Sequence, residues 1–165
     1  MNAIVIVDRN WAIGKDNGLL FSLPTDMKYF RTLTTGGTLL MGRRTLDSFP
    51  GGKPLPNRRN IVITRNPDFQ RDGVEVVSDP EDCRALISQL PQEKVWVIGG
   101  GSVYTALLPQ CHRAYVTRVD AAVGDADTFF PNLDKSPDWK QVSESEPVTE
   151  NGLTFRFVEY INETV

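Results

Sequence analysis

Cysteine and histidine are scarce in this 165-residue chain: two cysteines, Cys83 and Cys111, and one histidine, His112. So small an inventory argues against a disulfide-dense scaffold, and the spacing of the three residues does not match a zinc-ligand set, so no metal site is expected. Reduced thiols in a cytosolic protein are the expected state. Long apolar runs are also missing. None approaches the roughly 18 residues needed to cross a bilayer, so no membrane partner is expected. The opening MNAIVIVDRNWAIG is apolar only from Ala3 to Val7. It lacks a basic leader and a small-residue cleavage site, and reads as a first strand in a cytoplasmic protein. Positive charge is in short supply too, with 18 Lys and Arg against 21 Asp and Glu and a net charge of −3. That balance argues against a general nucleic-acid binder, whose affinity comes from a positive surface.

What is present is ordinary globular material, 40% hydrophobic and 24% charged, and the length suits a single domain over residues 1–165 that buries its own core. Short runs rich in β-branched residues recur at 3–7, 38–41, 60–64, 74–77, 95–99 and 114–119. Continuous apolar runs of this kind predict strands covered on both faces. Helical segments are predicted between them at 24–33, 43–48, 80–89 and 102–108. The third has Asp79 as N-cap and Pro80 at its first position. The alternation predicts an α/β fold with a central, mostly parallel sheet and about four flanking helices. The last strands, with Asn151–Gly152 as a turn, predict an antiparallel C-terminal hairpin. Residues 8–22 read as one long connection, longer than the usual 2 to 6 residues; Gly14 and Gly18 suit it to a lid.

Four features could carry chemistry. In VWVIGGGSVY a strand runs through Gly99, Gly100 and Gly101 into a helix starting near Ser102. This can be a pyrophosphate seat or simply a tight turn. In TLLMGRRT, Gly42 leads to Arg43, Arg44 and Thr45 in a first helical turn, where cations oppose the helix dipole. A bound phosphate would remove that conflict; solvated surface arginines are the other reading. With Arg65 after a third strand, two such seats point to a dinucleotide with an extra phosphate, NADPH rather than NADH. Arg58, fixed after two prolines, suits bidentate carboxylate recognition or is an ordinary surface cation. In LPTDMKYF, Asp26 shares a helical face with Leu23, Met27, Phe30 and Leu33. It is either a first-turn acid favoured by the dipole or a carboxylate held for a ligand.

Taken in order, WAIGKDNGLL, LPTDMKYF, MGRRT, PLPNRRNIVIT, VIGGGSVY, YVTRVDA and DTFFP resemble the dihydrofolate reductases, of bacterial type, over essentially the whole chain. The resemblance implies that fold and the NADPH-dependent reduction of 7,8-dihydrofolate to tetrahydrofolate. It implies catalytic roles for Asp26, Thr117 and Tyr104, with Asp26 and Thr117 holding the pterin edge. Ile4, Val5, Met27, Phe30, Phe49, Leu55 and Ile98 would line the substrate slot, and Arg58 would take the glutamate α-carboxylate. The cofactor would lie against Val5, Ile13, Gly14, Leu19, Gly42, Arg43, Arg44, Thr45, Thr64, Arg65, Ile98, Gly99, Gly100, Gly101, Ser102, Val103 and Tyr104. The family often has a cis peptide in the glycine pair. Ala12, with Ile13, Gly14 and Leu19, would form a closing loop supported by Asp127. The resemblance also implies binding of diaminopyrimidine and pteridine antifolates, and a monomer. Three departures stand out: Leu20 and Phe21 where the family commonly has Pro and Trp, Ser102 where it often has Arg or Lys, and GGK at 51–53. The rival readings are a related pyrimidine reductase of riboflavin synthesis and a non-catalytic nucleotide-binding module.

Overall fold

The computed structural model describes residues 1–16 and 18–165. The strands, in chain order, are β1 (Asn2–Val7), β2 (Ala12–Lys15), β3 (Gly18–Leu19), β4 (Thr38–Gly42), β5 (Arg59–Ile63), β6 (Val74–Val77), β7 (Val95–Gly99), β8 (Arg113–Val119), β9 (Thr128–Phe129), β10 (Trp139–Glu144), β11 (Val148–Glu150) and β12 (Leu153–Asn162). The α-helices are α1 (Pro24–Thr34), α2 (Arg43–Asp47), α3 (Pro80–Ile87) and α4 (Gly101–Leu107). Among the described residues no helix is long and apolar enough to cross a membrane.

The main sheet runs β10-β12-β8-β1-β7-β4-β5-β6, with β11 also paired to β12. Its core from β8 to β6 is parallel, and β12 joins β8 antiparallel with Phe157 opposite Thr117. Alternation along the buried strands divides two apolar layers. Ala3, Val5 and Val7 pack on one face with Val103, Tyr104 and Leu107. Ile4, Leu39, Met41 and Val62 pack on the other. The predicted cap of α3 is present: Asp79 accepts a hydrogen bond from the Asp82 N–H at 2.9 Å.

Two features open the sheet for a site. First, β1 and β7 pair only at Asn2–Trp96 and Ala3–Val97, leaving their carboxyl-terminal halves unpaired with each other. Each keeps its other neighbour, β8 or β4. A crevice at the carboxyl ends of adjacent strands is where open α/β sheets bind ligands.

Second, residues 8–22 are not the plain loop expected. They hold β2 and β3, and β2 pairs with β9 through Ala12–Phe129 and Gly14–Thr128. The partner lies more than a hundred residues along the chain, so no local pattern announces it. The buried Asp8 carboxylate pins this segment, accepting N–H bonds from Asn10 at 2.8 Å, Ala12 at 2.9 Å and Val123 at 2.8 Å. Asp127 holds the far end, accepting from the Asp16 N–H at 2.9 Å and the Thr128 hydroxyl at 2.9 Å. Lys15 adds a contact to Asp125.

Candidate active site

Helix α1 starts at Pro24, with Leu23 as an N-cap that offers no side-chain acceptor. Its third residue, Asp26, is partly buried and accepts a 2.6 Å hydrogen bond from the Thr117 hydroxyl on β8. Burial pushes the Asp26 carboxyl above the usual carboxylate range; the Thr117 bond opposes this, and the nearby Glu150 charge adds to it. A group made reluctant to ionise, with one side-chain donor among the described residues, suits a partner that brings N–H groups of its own.

The apolar face expected for α1 is only partly packed. Leu23 is buried, Phe30 and Leu33 are half-buried, and Met27 is 57% exposed. Tyr29, which helical spacing did not assign to that face, packs its ring 4.1 Å from Phe157. Five predicted slot residues, Ile4, Phe30, Phe49, Leu55 and Ile98, fall in one apolar cluster. Val5 points the other way, into the layer holding Ile13, Val103 and Tyr104. Neighbours along a strand face opposite sides, so only one of Ile4 and Val5 can put its side chain into the slot.

Arg58 stands beside that cluster, its guanidinium 6.0 Å from the centre of the Phe30 ring. Its Nε donates to the Pro56 carbonyl at 2.9 Å and its Nη1 to Thr34 Oγ1 at 3.1 Å. Burial, with the nearby Arg31 charge, lowers its pKa, so an anionic partner at Arg58 would be favoured. Sequence reading credited the prolines with fixing Arg58 and missed Asn60. The buried Asn60 amide accepts from the Leu55 N–H at 3.1 Å and donates to the Leu55 carbonyl at 2.9 Å and the Arg58 carbonyl at 3.0 Å. Only the distance from Asn60 back to Leu55 hinted at such a clasp. Asn60→Ala leaves these backbone groups unpaired, and the expected loss is about 1–3 kcal/mol in a denaturant melt.

On the other side of the crevice the two glycine turns meet. A Cβ on Gly42 would lie 3.4 Å from Val103 Cγ2 and 3.9 Å from the Gly100 nitrogen. One on Gly99 would lie 3.3 Å from Thr45 Oγ1. The Gly99–Gly100 peptide is cis and Gly99 has φ +127°, a conformation side chains rarely adopt. Helix α4 begins at Gly101, one residue before the expected Ser102, with Gly100 as its N-cap. Ser102 is exposed. The predicted seats are therefore one surface. Along it, Arg43 and Arg44 are both exposed, and the Arg43 guanidinium lies 4.8 Å from the centre of the Phe69 ring and 3.6 Å from Asp47 Oδ2. Thr64 and Arg65 line a groove of about 550 Å³ with Val76, Val77, Ser78 and Asp82.

Tyr104 sits beneath both walls. Its buried hydroxyl donates to the Ile4 carbonyl at 2.6 Å, and burial drives its pKa far up, so it remains a neutral donor. Of the closing segment, Ala12, Ile13 and Gly14 are buried, while Leu19 is 72% exposed. Phe21 packs partly against Leu23, Val119 and Phe155.

This arrangement has close counterparts. The family model described as "Dihydrofolate reductase" matches residues 1–162. A Bacillus subtilis (strain 168) dihydrofolate reductase is 40% identical over 159 residues, covering 95% of this chain and 91% of its own length. The type 3 dihydrofolate reductase of Salmonella typhimurium is 39% identical over 145 residues, covering 88% and 86%. Among solved structures, the Enterococcus faecalis dihydrofolate reductase complexed with NADP(H) and RAB-propyl superposes with a TM-score of 0.85 at 36% identity, covering 98% of this chain and 95% of that one. With an acid on α1 bonded to a β8 threonine, paired glycine turns across the crevice and relatives matched nearly end to end, the chain belongs to the dihydrofolate reductase family.

Proposed function

We propose that this protein reduces 7,8-dihydrofolate to 5,6,7,8-tetrahydrofolate at the expense of NADPH. The observation that carries the reading is the Asp26–Thr117 hydrogen bond at the mouth of an apolar slot, beside the converging glycine turns. Ionised Asp26 accepts hydrogen bonds from the amino group and adjacent ring N–H of the pteridine, which fixes its orientation. Its negative charge eases protonation of the imine nitrogen, with the proton arriving through water. Ile4, Phe30, Phe49, Leu55 and Ile98 enclose the apolar body, and Arg58 pairs with the glutamate α-carboxylate. Thr117 and Tyr104 act by position, one holding Asp26 and the other the Ile4 carbonyl.

The residues on the cofactor side fit NADPH. Gly42, Gly99, Gly100 and Gly101 allow close backbone approach; Arg44, Thr45, Thr64 and Arg65 suit phosphates, and the groove at 64–78 suits the adenosine. Bound NADPH supplies the hydride. Ile13, Gly14 and Leu19 exclude water when the β2–β3 segment covers the site. Holding the two reactants face to face accounts for much of the acceleration. Arg43 shares the first turn of α2 with Arg44 and Thr45 and suits phosphate as they do. Phe21 lacks the indole donor common in the family, so a water near the pterin loses one partner.

Arg44→Ala combined with Arg65→Ala should weaken NADPH binding about tenfold or more while leaving NADH nearly unchanged. Titration with both cofactors reads this directly; equal weakening would place the 2′-phosphate elsewhere. The fit to an aminopyrimidine edge also makes diaminopyrimidine and pteridine antifolates expected inhibitors of a monomeric, cytoplasmic enzyme. Dihydrofolate-dependent oxidation of NADPH, blocked by a diaminopyrimidine, tests the whole reading. NADPH binding with no pterin reduction would favour a nucleotide-binding module. Turnover confined to a ribosylated pyrimidine would favour the riboflavin-pathway reductase.

A further inference from the structure

The first turn of α1 lacks a local cap, because Leu23 has no acceptor and Pro24 no N–H. The acceptor comes from β11. Glu150 Oε1 accepts from the Thr25 N–H at 3.0 Å, and Oε2 accepts from the Thr25 hydroxyl at 2.5 Å. Glu150 thus serves as an N-cap supplied from 125 residues away. The residue it grips is the immediate neighbour of Asp26. β11 pairs with β12, which pairs with β8, and Phe157 on β12 lies opposite Thr117. The C-terminal strands therefore hold the Asp26 turn at two points, Thr117 on the carboxylate and Glu150 on the backbone behind it.

We infer that Glu150 is a positioning residue for the active site: by capping α1 at Thr25 it sets where the Asp26 carboxylate meets Thr117 and the substrate edge. Its negative charge also acts on Asp26 and favours the protonated form there. The other titratable groups that interact with Asp26 are Tyr29, from the same helix, and Tyr104, from α4; both stay neutral because burial raises their pKa values. Glu150 itself is held ionised by its two bonds to Thr25.

The kinetic part of this inference rests on the proposed dihydrofolate reduction; the titration part does not. The test compares full-length wild type with Glu150→Gln, Glu150→Ala and Thr25→Val. NMR titration of the Asp26 carboxyl carbon in the substrate-free protein should show a lower pKa in both Glu150 variants, since an adjacent negative charge is gone. Glu150→Gln keeps an oxygen acceptor for the Thr25 N–H and should lose about threefold in kcat/KM for dihydrofolate. Glu150→Ala should lose about five- to tenfold, mostly through KM, with KM for NADPH unchanged. Thr25→Val should fall between them and leave the Asp26 titration close to wild type. If Glu150→Ala does not fold, Glu150→Gln still carries the titration. An Asp26 titration unmoved in the Glu150 variants, with wild-type kcat/KM, would overturn the inference. Failure of the wild type to reduce dihydrofolate would instead overturn the proposed reaction, with the titration still readable.

Discussion

Replacing Asp26 with Asn lowers the rate of hydride transfer to dihydrofolate at neutral pH by about a hundred- to a thousandfold, the range typical of losing a preorganised charge at a reacting centre. NADPH affinity should stay within about twofold, because the glycine turns and Arg65 lie across the crevice from α1. Shape is nearly kept: the Asn carbonyl can still accept from the Thr117 hydroxyl, which in the wild type reaches Asp26 at 2.6 Å. What is lost is the charge proposed to orient the pteridine and to ease protonation of the imine nitrogen. Single-turnover measurement separates this from binding. Equal loss of NADPH binding and hydride transfer would mean that Asp26 serves the fold instead.

The same substitution should raise thermal stability of the substrate-free protein. Burial holds the Asp26 pKa above its ordinary value, so the folded state disfavours the ionised form relative to the unfolded state. Above the raised pKa the ionised group therefore costs stability. That cost fades as pH falls through the raised pKa and vanishes below the ordinary value, where both states are protonated. The Asp26→Asn melting temperature should exceed wild type most clearly at neutral pH, with the gap closing in acid. A charge kept where it weakens the fold marks a site built for a partner.

Arg58→Leu gives the second large effect: KM for dihydrofolate rises by about ten- to a hundredfold, with kcat little changed. A guanidinium held by the Pro56 carbonyl at 2.9 Å and Thr34 Oγ1 at 3.1 Å is preorganised. A charge-assisted bond to a carboxylate is worth about 1.5–3 kcal/mol. As proposed, the contact to the glutamate carboxylate would lie far from the reacting carbon and be the same in ground and transition states, so its loss should appear in KM. A reduced-pterin substrate lacking the glutamate tail provides the control and should be turned over equally by both proteins. The fold should tolerate the change, since the Thr34 hydroxyl also donates to the Phe30 carbonyl at 2.8 Å.

Much of this was legible in the sequence because its signals are local. The β-branched runs marked the parallel strands, Asp79–Pro80 marked the start of α3, and Asn151–Gly152 marked the closing turn between β11 and β12. The two glycine turns were recognisable one at a time. That they form one surface, with Gly42 beside Gly100 and Thr45 beside Gly99, follows only from the pairing of β4 with β7.

The rest was hidden because it is long-range or because single residues support a loop from behind. β2 has its partner in β9, Asp8 ties residues 10–12 to Val123, and Asn60 clasps Leu55. Nothing local in the sequence links Glu150 to Thr25, 125 residues away. Helical spacing put Asp26 on one face with Leu23, Met27, Phe30 and Leu33 but did not place Tyr29, whose ring packs on Phe157 of the distant strand β12.

The most direct measurement is a single turnover of wild-type protein with dihydrofolate and NADPH deuterated at both positions of nicotinamide C4, followed by mass analysis of the pterin. The account predicts tetrahydrofolate carrying one deuterium at the former imine carbon, formed in step with NADPH oxidation. NADPH oxidation without deuterium in the pterin, or no dihydrofolate-dependent oxidation at all, would contradict it.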